Sequence, residues 1–399
     1  MSDSTYPLYG LKVLDFSRVL AGPFAGRMMS DLGADVVKVE PPDNDVTRLW
    51  GKVTAGIPGY YHQQNAGKRN ISVDLRATHA REFVFDLVRN ADILVENYRP
   101  DVMGRLGLDY ESLREINPRL IMLSISGFGS NGPESWRPAY APIIHAEAGL
   151  IDRAARRGNL PPRDLPASIS DTNASLHGLV GILSAVIMRE RTGTGQHIEI
   201  AMIDATVATD DQMQFDLEGS EHTGAEPNQV WGSPIGPILI STDIRRLCEL
   251  LSDKYGLADP CTPKMDVDAK AAARQQVISD FLQTLETKEQ FDEAMNKMSL
   301  PWGQVRTAAS IREQPTIAHR GAIIDIDDRQ GGTRPVTQSP YRFSSASSGV
   351  RGPAPHRGEH NSSVLKAWLG YDDSVVKELY AAGVLSRSEE AHASDQATN

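Results

Sequence analysis

The first forty residues constrain the fold more than any other stretch. Gly10-Leu11-Lys12-Val13-Leu14-Asp15-Phe16 is an apolar run of strand length, and Ser17 to Pro23 turns into a helix, Phe24 to Leu32, that stops at Gly33. A second strand follows at once, Ala34-Asp35-Val36-Val37-Lys38-Val39-Glu40, ended by Pro41-Pro42. Strand, helix and strand so closely joined predict a β-α-β unit, the opening of a parallel, Rossmann-like sheet.

Such a sheet invites a dinucleotide-binding reading, and the sequence argues against it. The fingerprint G-x-G-x-x-G belongs at the first strand-to-helix turn, which has only Gly22. Gly127-Phe128-Gly129-Ser130-Asn131-Gly132 fits the letters after the strand Leu120 to Ser126, but Pro133-Glu134-Ser135-Trp136-Arg137-Pro138 cannot open the helix that must follow. The match is accidental, and no nicotinamide cofactor is expected.

Composition narrows the partners. The 399 residues are 40% hydrophobic and 23% charged, enough for a sizeable core and two domains. A net charge of −11 excludes nucleic acid as the main partner, so any anionic ligand must find its Lys and Arg clustered locally. Cys248 and Cys261 have no neighbouring His pattern, so neither a disulfide framework nor a metal site is expected. The start MSDSTYPLYG lacks the features of a signal peptide, and the longest apolar run, Gly178 to Met188, is too short to cross a bilayer. A soluble, cytoplasmic protein without membrane contact is expected.

Further along, a helix near Thr78 to Arg89 and a strand Ala91 to Val95 lead to the loop Glu96-Asn97-Tyr98-Arg99-Pro100. Lys68, Arg69, Arg76, Arg99 and Arg105 read singly as solvated charges. Several follow strand ends, however, where open α/β sheets bind ligands, so together they could form an anion site. After a strand His197 to Ala201, composition shifts near Asn228 to Pro237, and the chain to about Arg320 reads as mainly helical, with amphipathic stretches Asp243 to Lys254 and Ala269 to Met298. The domain expectation is a large domain over 1–230, a small one over 231–325, a return to the large domain over 326–385 that includes a helical stretch Ser362 to Ala382, and a disordered polar tail over 386–399.

One stretch carries chemistry. Ser168-Ile169-Ser170-Asp171-Thr172-Asn173 precedes a helix to about Arg191, with Leu176, Leu179, Val180, Leu183, Val186 and Ile187 at helical spacing. Asp171 thus sits at or just before a helix N-terminus. It could be an N-cap contributing about 1 kcal/mol. It could instead be a partly buried carboxylate kept ionised by the helix N–H groups and dipole, and so a nucleophile toward an activated acyl group.

Together these residues make the chain resemble the family III CoA-transferases, which include formyl-CoA and carnitine CoA-transferases and, as a side branch, α-methylacyl-CoA racemase. The resemblance is carried by Leu14 to Pro23, Asp31 to Glu40, Asn65 to Asp74, Asp92 to Pro100, Gly127 to Pro133, Gly193-Thr194-Gly195-Gln196 and Gly358-Glu359-His360. It implies an α/β fold, a Rossmann-like parallel-sheet large domain plus a smaller second domain, in an interlocked homodimer. It implies coenzyme A and acyl-CoA as substrates, with contacts at Val19, Val73, Arg76, Asn97, Tyr98 and Arg105, and places Asp171 on the family's catalytic aspartate. The implied reaction moves CoA from a thioester to a carboxylic acid through an aspartyl anhydride and an aspartyl-CoA thioester, with oxyanion donors from the helix N-terminus; transfer within one dicarboxylic acid would use the same steps.

Departures from the family pattern are specific. Only Gly232-Ser233-Pro234-Ile235-Gly236 stands where many transferases have a glycine-rich lid, and Pro41-Pro42 replaces a common basic residue. The racemase branch has a His-Asp pair where this chain has Tyr140-Ala141, which disfavours proton exchange at the α-carbon. Tyr140 and His145 are candidate substrate contacts, with a hydrogen-bonded core position the other reading of His145; His177 reads as structural.

Overall fold

The computed structural model describes residues 5–220 and 229–391. It divides between Asp211 and Gln212 and again between Ile317 and Ala318, so the larger unit joins the N-terminal part to the C-terminal return. The boundary expected at 230/231 falls inside a strand, Val230–Trp231, that pairs within the smaller unit, and the one at 325/326 falls inside Ile323–Asp327, half of a hairpin of the larger unit.

The larger unit opens with β1 (Lys12–Asp15), α1 (Ala21–Asp31), β2 (Asp35–Glu40), the short hairpin β3 (Val53–Thr54) and β4 (Ile57–Pro58), α2 (Gly59–Asn65), β5 (Arg69–Val73) and α3 (Ala80–Arg89). It continues through β6 (Ile93–Glu96), α4 (Pro100–Arg105), α5 (Tyr110–Ile116), β7 (Ile121–Ser126), α6 (Ala141–Glu147), α7 (Leu150–Gly158), α8 (Ile169–Thr192), β8 (His197–Ala201) and α9 (Met202–Ala208). Among the described residues the main sheet runs in the order β14-β5-β2-β1-β6-β7-β8, parallel except for β14 (Leu385–Ser386) at its edge. The chain runs outward from β1 to β5, then returns to β6 on the other side of β1, so a crevice forms between the loops that follow β1 and β6.

Strand residues alternate between two cores. Val13, Ile93, Val95, Ile121 and Leu123 face Met28 and Met29 of α1 and Leu179 and Ile182 of α8. Leu14, Leu94 and Met122 face Phe83 and Leu87 of α3, Leu113 of α5, and Val364 and Trp368 of the return. Each such side chain contributes about 1.5–3 kcal/mol by leaving water. Gly178 lets α8 lie close to the sheet, since a Cβ there would meet Leu123 at 2.8 Å.

At the C-terminal ends of β1 and β2 lies a cluster of buried charges. The Lys68 ammonium is 2.7 Å from Asp15 and also donates to the Pro23 carbonyl at 2.8 Å and Asn65 Oδ1 at 2.9 Å. Lys38 sits 3.1 Å from Asp45 and donates to the Ser17 carbonyl at 2.7 Å. Glu40 accepts from Arg48 Nε at 2.6 Å, Asn70 at 2.7 Å and the Tyr61 hydroxyl at 3.1 Å. Burial alone would raise the Asp15 and Glu40 carboxyls; their cation partners overcome it and hold both below the usual range. Gly26 of α1 makes room, because a Cβ there would come within 2.6 Å of Asp15 Oδ2. Two sequence expectations change here: Lys68 is a buried structural cation, and Arg69 pairs with Asp35, so neither belongs to an exposed anion site.

The smaller unit carries α10 (Met213–Leu217), β9 (Val230–Trp231), β10 (Ile238–Ile240), α11 (Ile244–Tyr255), α12 (Val267–Gln283), α13 (Lys288–Met298) and β11 (Trp302–Gln304). Its strands form an antiparallel sheet that the helical expectation missed, because strands of two or three residues leave no readable period. The stretch expected as one from Ala269 to Met298 is two helices, broken where Thr287 and Gln290 form a capping box.

The unit boundary falls inside α14 (Pro315–Arg320), after which the larger unit has the hairpin of β12 (Ile323–Asp327) and β13 (Thr333–Thr337), and then α15 (Asn361–Leu369) and α16 (Asp373–Ala381). The helical stretch Ser362 to Ala382 is interrupted by Gly370 at φ 70°. Asn361 ties the return to β5, accepting from the Ser72 N–H at 3.0 Å. Ser386, expected in a disordered tail, pairs with Ser72, and Ala391 is buried; the part of that expectation from 392 onward lies outside the described residues. No helix among the described residues is long and apolar enough to cross a membrane.

Because removing Lys68 would strand Asp15 as an unpaired buried charge, Lys68→Ala should destabilise the protein by about 3–5 kcal/mol in denaturant unfolding. A loss below about 1 kcal/mol would mean that the cluster is not structurally required.

Candidate active site

The crevice at the sheet's switch point is shaped by two loops that bind each other. Arg18 N–H donates to Asn97 Oδ1 and Asn97 Nδ2 donates to the Arg18 carbonyl, both at 2.8 Å. Val19 stands at φ 69°, a left-handed conformation that costs a β-branched residue on the order of 1–3 kcal/mol. The charge cluster supports it: Val19 N–H donates to Asp45 Oδ2 at 3.3 Å, while Lys38 holds the Ser17 carbonyl. On the other loop, Tyr98 N–H donates to the buried Glu96 carboxyl at 2.8 Å, and the Arg18 guanidinium stands 5.4 Å from the centre of the Tyr98 ring.

A cavity of about 240 Å³ opens there. Its wall brings together Val19, Asn97, Tyr98, Tyr140 and Asp171 from the sequence candidates and Arg99 from the basic residues read as a possible anion site, with Arg18, Ser126, Gly127, Arg137 and Met202 that the candidates did not include. Arg18 could have been read as a loop residue beside Val19. Arg137 carries no such signal: it bonds Glu134 at 2.7 Å and Glu147 at 2.6 Å and lies 4.6 Å from the centre of the Phe128 ring. The Gly127 to Gly132 stretch is a loop fastened by Ser130 N–H to Glu199 at 2.6 Å.

Other candidates lie elsewhere. Val73 is fully buried in the core. Arg76 is an exposed residue bonded to Asp74 at 2.9 Å, and Arg105 an exposed one 3.1 Å from Asp101. His145 is buried and does not line the cavity.

Asp171 does not cap its own helix. Ser168 is the residue before α8, and Asp171 is the third residue within it, 8% exposed. Its carboxylate accepts instead from the backbone N–H of Ala141, the first residue of α6. Three of the amides at the start of α8 are engaged elsewhere: Ile169 bonds the Ala167 carbonyl at 2.9 Å, Ser170 the His145 imidazole at 3.4 Å, and Thr172 the Ser168 carbonyl at 3.2 Å. Helix donors therefore do not hold the carboxyl down. Burial dominates, pushing it up to about 6 against the smaller opposing effects of Ala141 N–H and His145. Tyr60 also faces this charge; burial and Asp171 push its phenol up to about 12, so it stays protonated. Tyr60 lines a second cavity of about 530 Å³, with Leu20, Phe24, Ser168 and Thr172.

With the folded group at about 6 and an ordinary aspartate at 3.8, the native state binds the extra proton between those values. Its stability contribution is therefore lost as pH rises through that window, and an ionised Asp171 is a net cost at neutral pH. Asp171→Asn should raise thermal stability at pH 7 by on the order of 2 kcal/mol, with the gain vanishing near pH 4. An equal gain at both pH values in thermal melts would contradict a buried, ionised carboxylate.

Residues 8–361 match the family profile described as CoA-transferase family III. The chain is 32% identical over 383 residues to a succinate–glutarate CoA-transferase of Agrobacterium fabrum, covering 90% of this chain and 95% of the relative. It is 33% identical to an acetyl-CoA:oxalate CoA-transferase of Acetobacter aceti, over 84% of this chain and 90% of that one. Among solved structures, a CAIB/BAIF family protein from Brucella suis matches with a TM-score of 0.78 at 32% identity, covering 91% of this chain and all of the other, 100%. Rv3272 from Mycobacterium tuberculosis matches at 0.76 and 27% identity, over 90% and 99%. Sequence and fold thus agree along nearly the whole length, and the chain belongs to CoA-transferase family III.

Proposed function

We propose that this enzyme moves CoA from an acyl-CoA thioester to a free carboxylic acid with Asp171 as covalent nucleophile. The observation that carries the reading is a carboxylate in a cavity wall, nine-tenths buried and without a paired cation, drawn up to about 6. Such a group is mostly ionised at neutral pH yet more basic than an ordinary aspartate, which favours attack on carbon.

One Asp171 oxygen attacks the thioester carbonyl, the C–S bond breaks, CoA leaves as thiolate and an aspartyl-acyl anhydride remains. The thiolate then attacks the Asp171 carbonyl carbon and expels the acyl group as free carboxylate, leaving an aspartyl-CoA thioester. The acceptor carboxylate attacks that thioester carbonyl, giving a second anhydride and the thiolate. The thiolate attacks the acceptor's carbonyl, releasing product acyl-CoA and restoring Asp171. When Asp171 is itself the acyl group, the tetrahedral oxyanion forms on its side-chain oxygen, toward which Ala141 N–H is already directed. This donor replaces the α8 amides expected from the sequence.

CoA would enter over Val19, Asn97 and Tyr98, with its phosphates near Arg18 and Arg99, and with Arg76 and Arg105 available by exchange of their surface partners. Val73 could contribute only through its main chain. The named activities of the two relatives favour a short dicarboxylic acid as acceptor. Tyr140, in the same wall and 62% exposed, is a candidate contact for it.

The interlocked homodimer belongs to the same proposal. Leu176, Val180 and Ile187 of α8 are exposed in the single chain although α8 is already packed on the sheet through Leu179 and Ile182, and a helix apolar on both faces needs a second partner. A cytoplasmic location is proposed on the free thiols Cys248 and Cys261.

Incubation with a panel of acyl-CoAs, trapping with hydroxylamine and peptide mass spectrometry should give a modification confined to the Asp171 peptide and absent from Asp171→Ala. A label elsewhere, or one that survives the substitution, would refute the assignment. Because the nucleophile is lost by protonation, kcat/KM should fall roughly tenfold per unit below pH ~6. A flat profile down to pH 5 would contradict a carboxyl held near 6.

A further inference from the structure

The helix that supplies Ala141 N–H to Asp171 also holds the residue before it. His145 lies one turn along α6 from Ala141 and is 1% exposed. Its Nε2 accepts the Ser170 N–H at 3.4 Å, and its Nδ1 is 2.9 Å from Asp164 Oδ1. A carboxylate can only accept, so Nδ1 carries the proton, and Nε2 is left with the lone pair that Ser170 requires. Asp164 belongs to the segment leading into α8, and its hydrogen bond to His145 draws its carboxyl below the usual range. One imidazole therefore fastens the incoming chain at Asp164 and the second residue of the helix, with Asp171 next in line. Ser170 is also held from α9, where Thr206 Oγ1 donates to its hydroxyl at 2.8 Å.

The charges around His145 are few. Asp164 on the entering segment and Asp171 on α8 are the groups in electrostatic contact with it. On its own helix, Glu147 is bound to Arg137. Against α6, α7 brings Arg153, and the chain after α9 brings Asp210; these two pair with each other. Asp152 of α7 is bonded to Arg156 at 2.7 Å, Arg157 follows on the same helix, and Asp204 is the charged residue of α9.

We propose that His145 and Asp164 are a positioning pair that fixes the turn bearing Asp171. The proposal rests on Asp171 being the nucleophile. His145 touches neither the cavity nor the reacting atoms, so its effect passes through Ser170 and Asp171. The racemase branch's two-base arrangement does not describe it, because the ring stands behind the carboxylate rather than across a substrate from it.

Two measurements on the full chain test the pair. The first needs no substrate: a water-soluble carbodiimide with glycinamide labels protonated carboxyls, and the pH midpoint of labelling at Asp171 is read by peptide mass spectrometry. His145→Ala should move that midpoint, because a released turn changes the burial that sets it, while His145→Gln should leave it near the wild-type value; coincident midpoints in the wild type and His145→Ala would overturn the positioning role. The second is turnover with succinyl-CoA and glutarate. His145→Ala should lower kcat by about 10–100-fold with KM for succinyl-CoA changed less than twofold, as misplacement of a reacting group does. His145→Gln, whose amide can donate to Asp164 and accept from Ser170, should recover kcat to within about threefold of wild type. Equal losses in both variants, accompanied by equal falls in melting temperature, would reduce His145 to a packing residue and overturn the positioning role. If the wild type titrates at Asp171 but forms no acyl adduct there, the nucleophile assignment fails while the midpoint shift still reports on the pair.

Discussion

A carboxylate taken out of water without a cation beside it is costly, and the chemistry proposed for Asp171 uses that cost. The larger unit buries Asp15, Glu40 and Asp45 as well, and each of these has a lysine or arginine against it that keeps it below the ordinary range. Asp171 has one backbone N–H and an imidazole one residue away, and burial wins. Partners decide the outcome for Asp15, Glu40 and Asp45, whereas Asp31 stays raised even with Arg27 at 2.8 Å, so burial can also outweigh a cation.

The inert charges position the reactive one's surroundings. Lys38 holds the Ser17 carbonyl and Asp45 the Val19 amide, so the loop after β1 is fixed in a conformation that Val19 would not choose. That loop and Asn97 then bind each other across the switch point, and the cavity lies where they meet. Rigidity here suits the proposed mechanism, in which reacting atoms stay aligned through several consecutive acyl transfers.

Much of this was legible from residue order. The β-α-β opening, the strand before Ser126 and the strand His197 to Ala201 all follow from short apolar runs bounded by Gly and Pro. Asp171 stood out as a lone acid ahead of an apolar helix. What the sequence could not supply was anything set by residues far apart: that Asp171 bonds an amide of α6 rather than its own helix, that Lys68 is buried against Asp15, or that Arg137 reaches the cavity. Local patterns also hid the sheet of the smaller unit, whose strands are shorter than the period that would reveal them. Of the residues carried over by resemblance, Val19, Asn97 and Tyr98 meet in one cavity because they sit at strand ends flanking the switch point, whereas Arg76 and Arg105 are held at the surface by their own acidic neighbours.

Net charge and site charge point in opposite directions, and the second decides the ligand. The chain carries −11 overall, yet Arg18, Arg99 and Arg137 converge on the cavity that holds Asp171. Both reactants of an acyl-CoA to carboxylate transfer are anions, and so is the proposed nucleophile, which makes three negative partners to bring together. An acidic surface opposes their approach in general, while guanidinium groups within one recess favour it at one place. Two of the three arginines lie on the loops that form the switch point, where the sheet's connectivity already directs a ligand. The third is shared with Glu134 and Glu147.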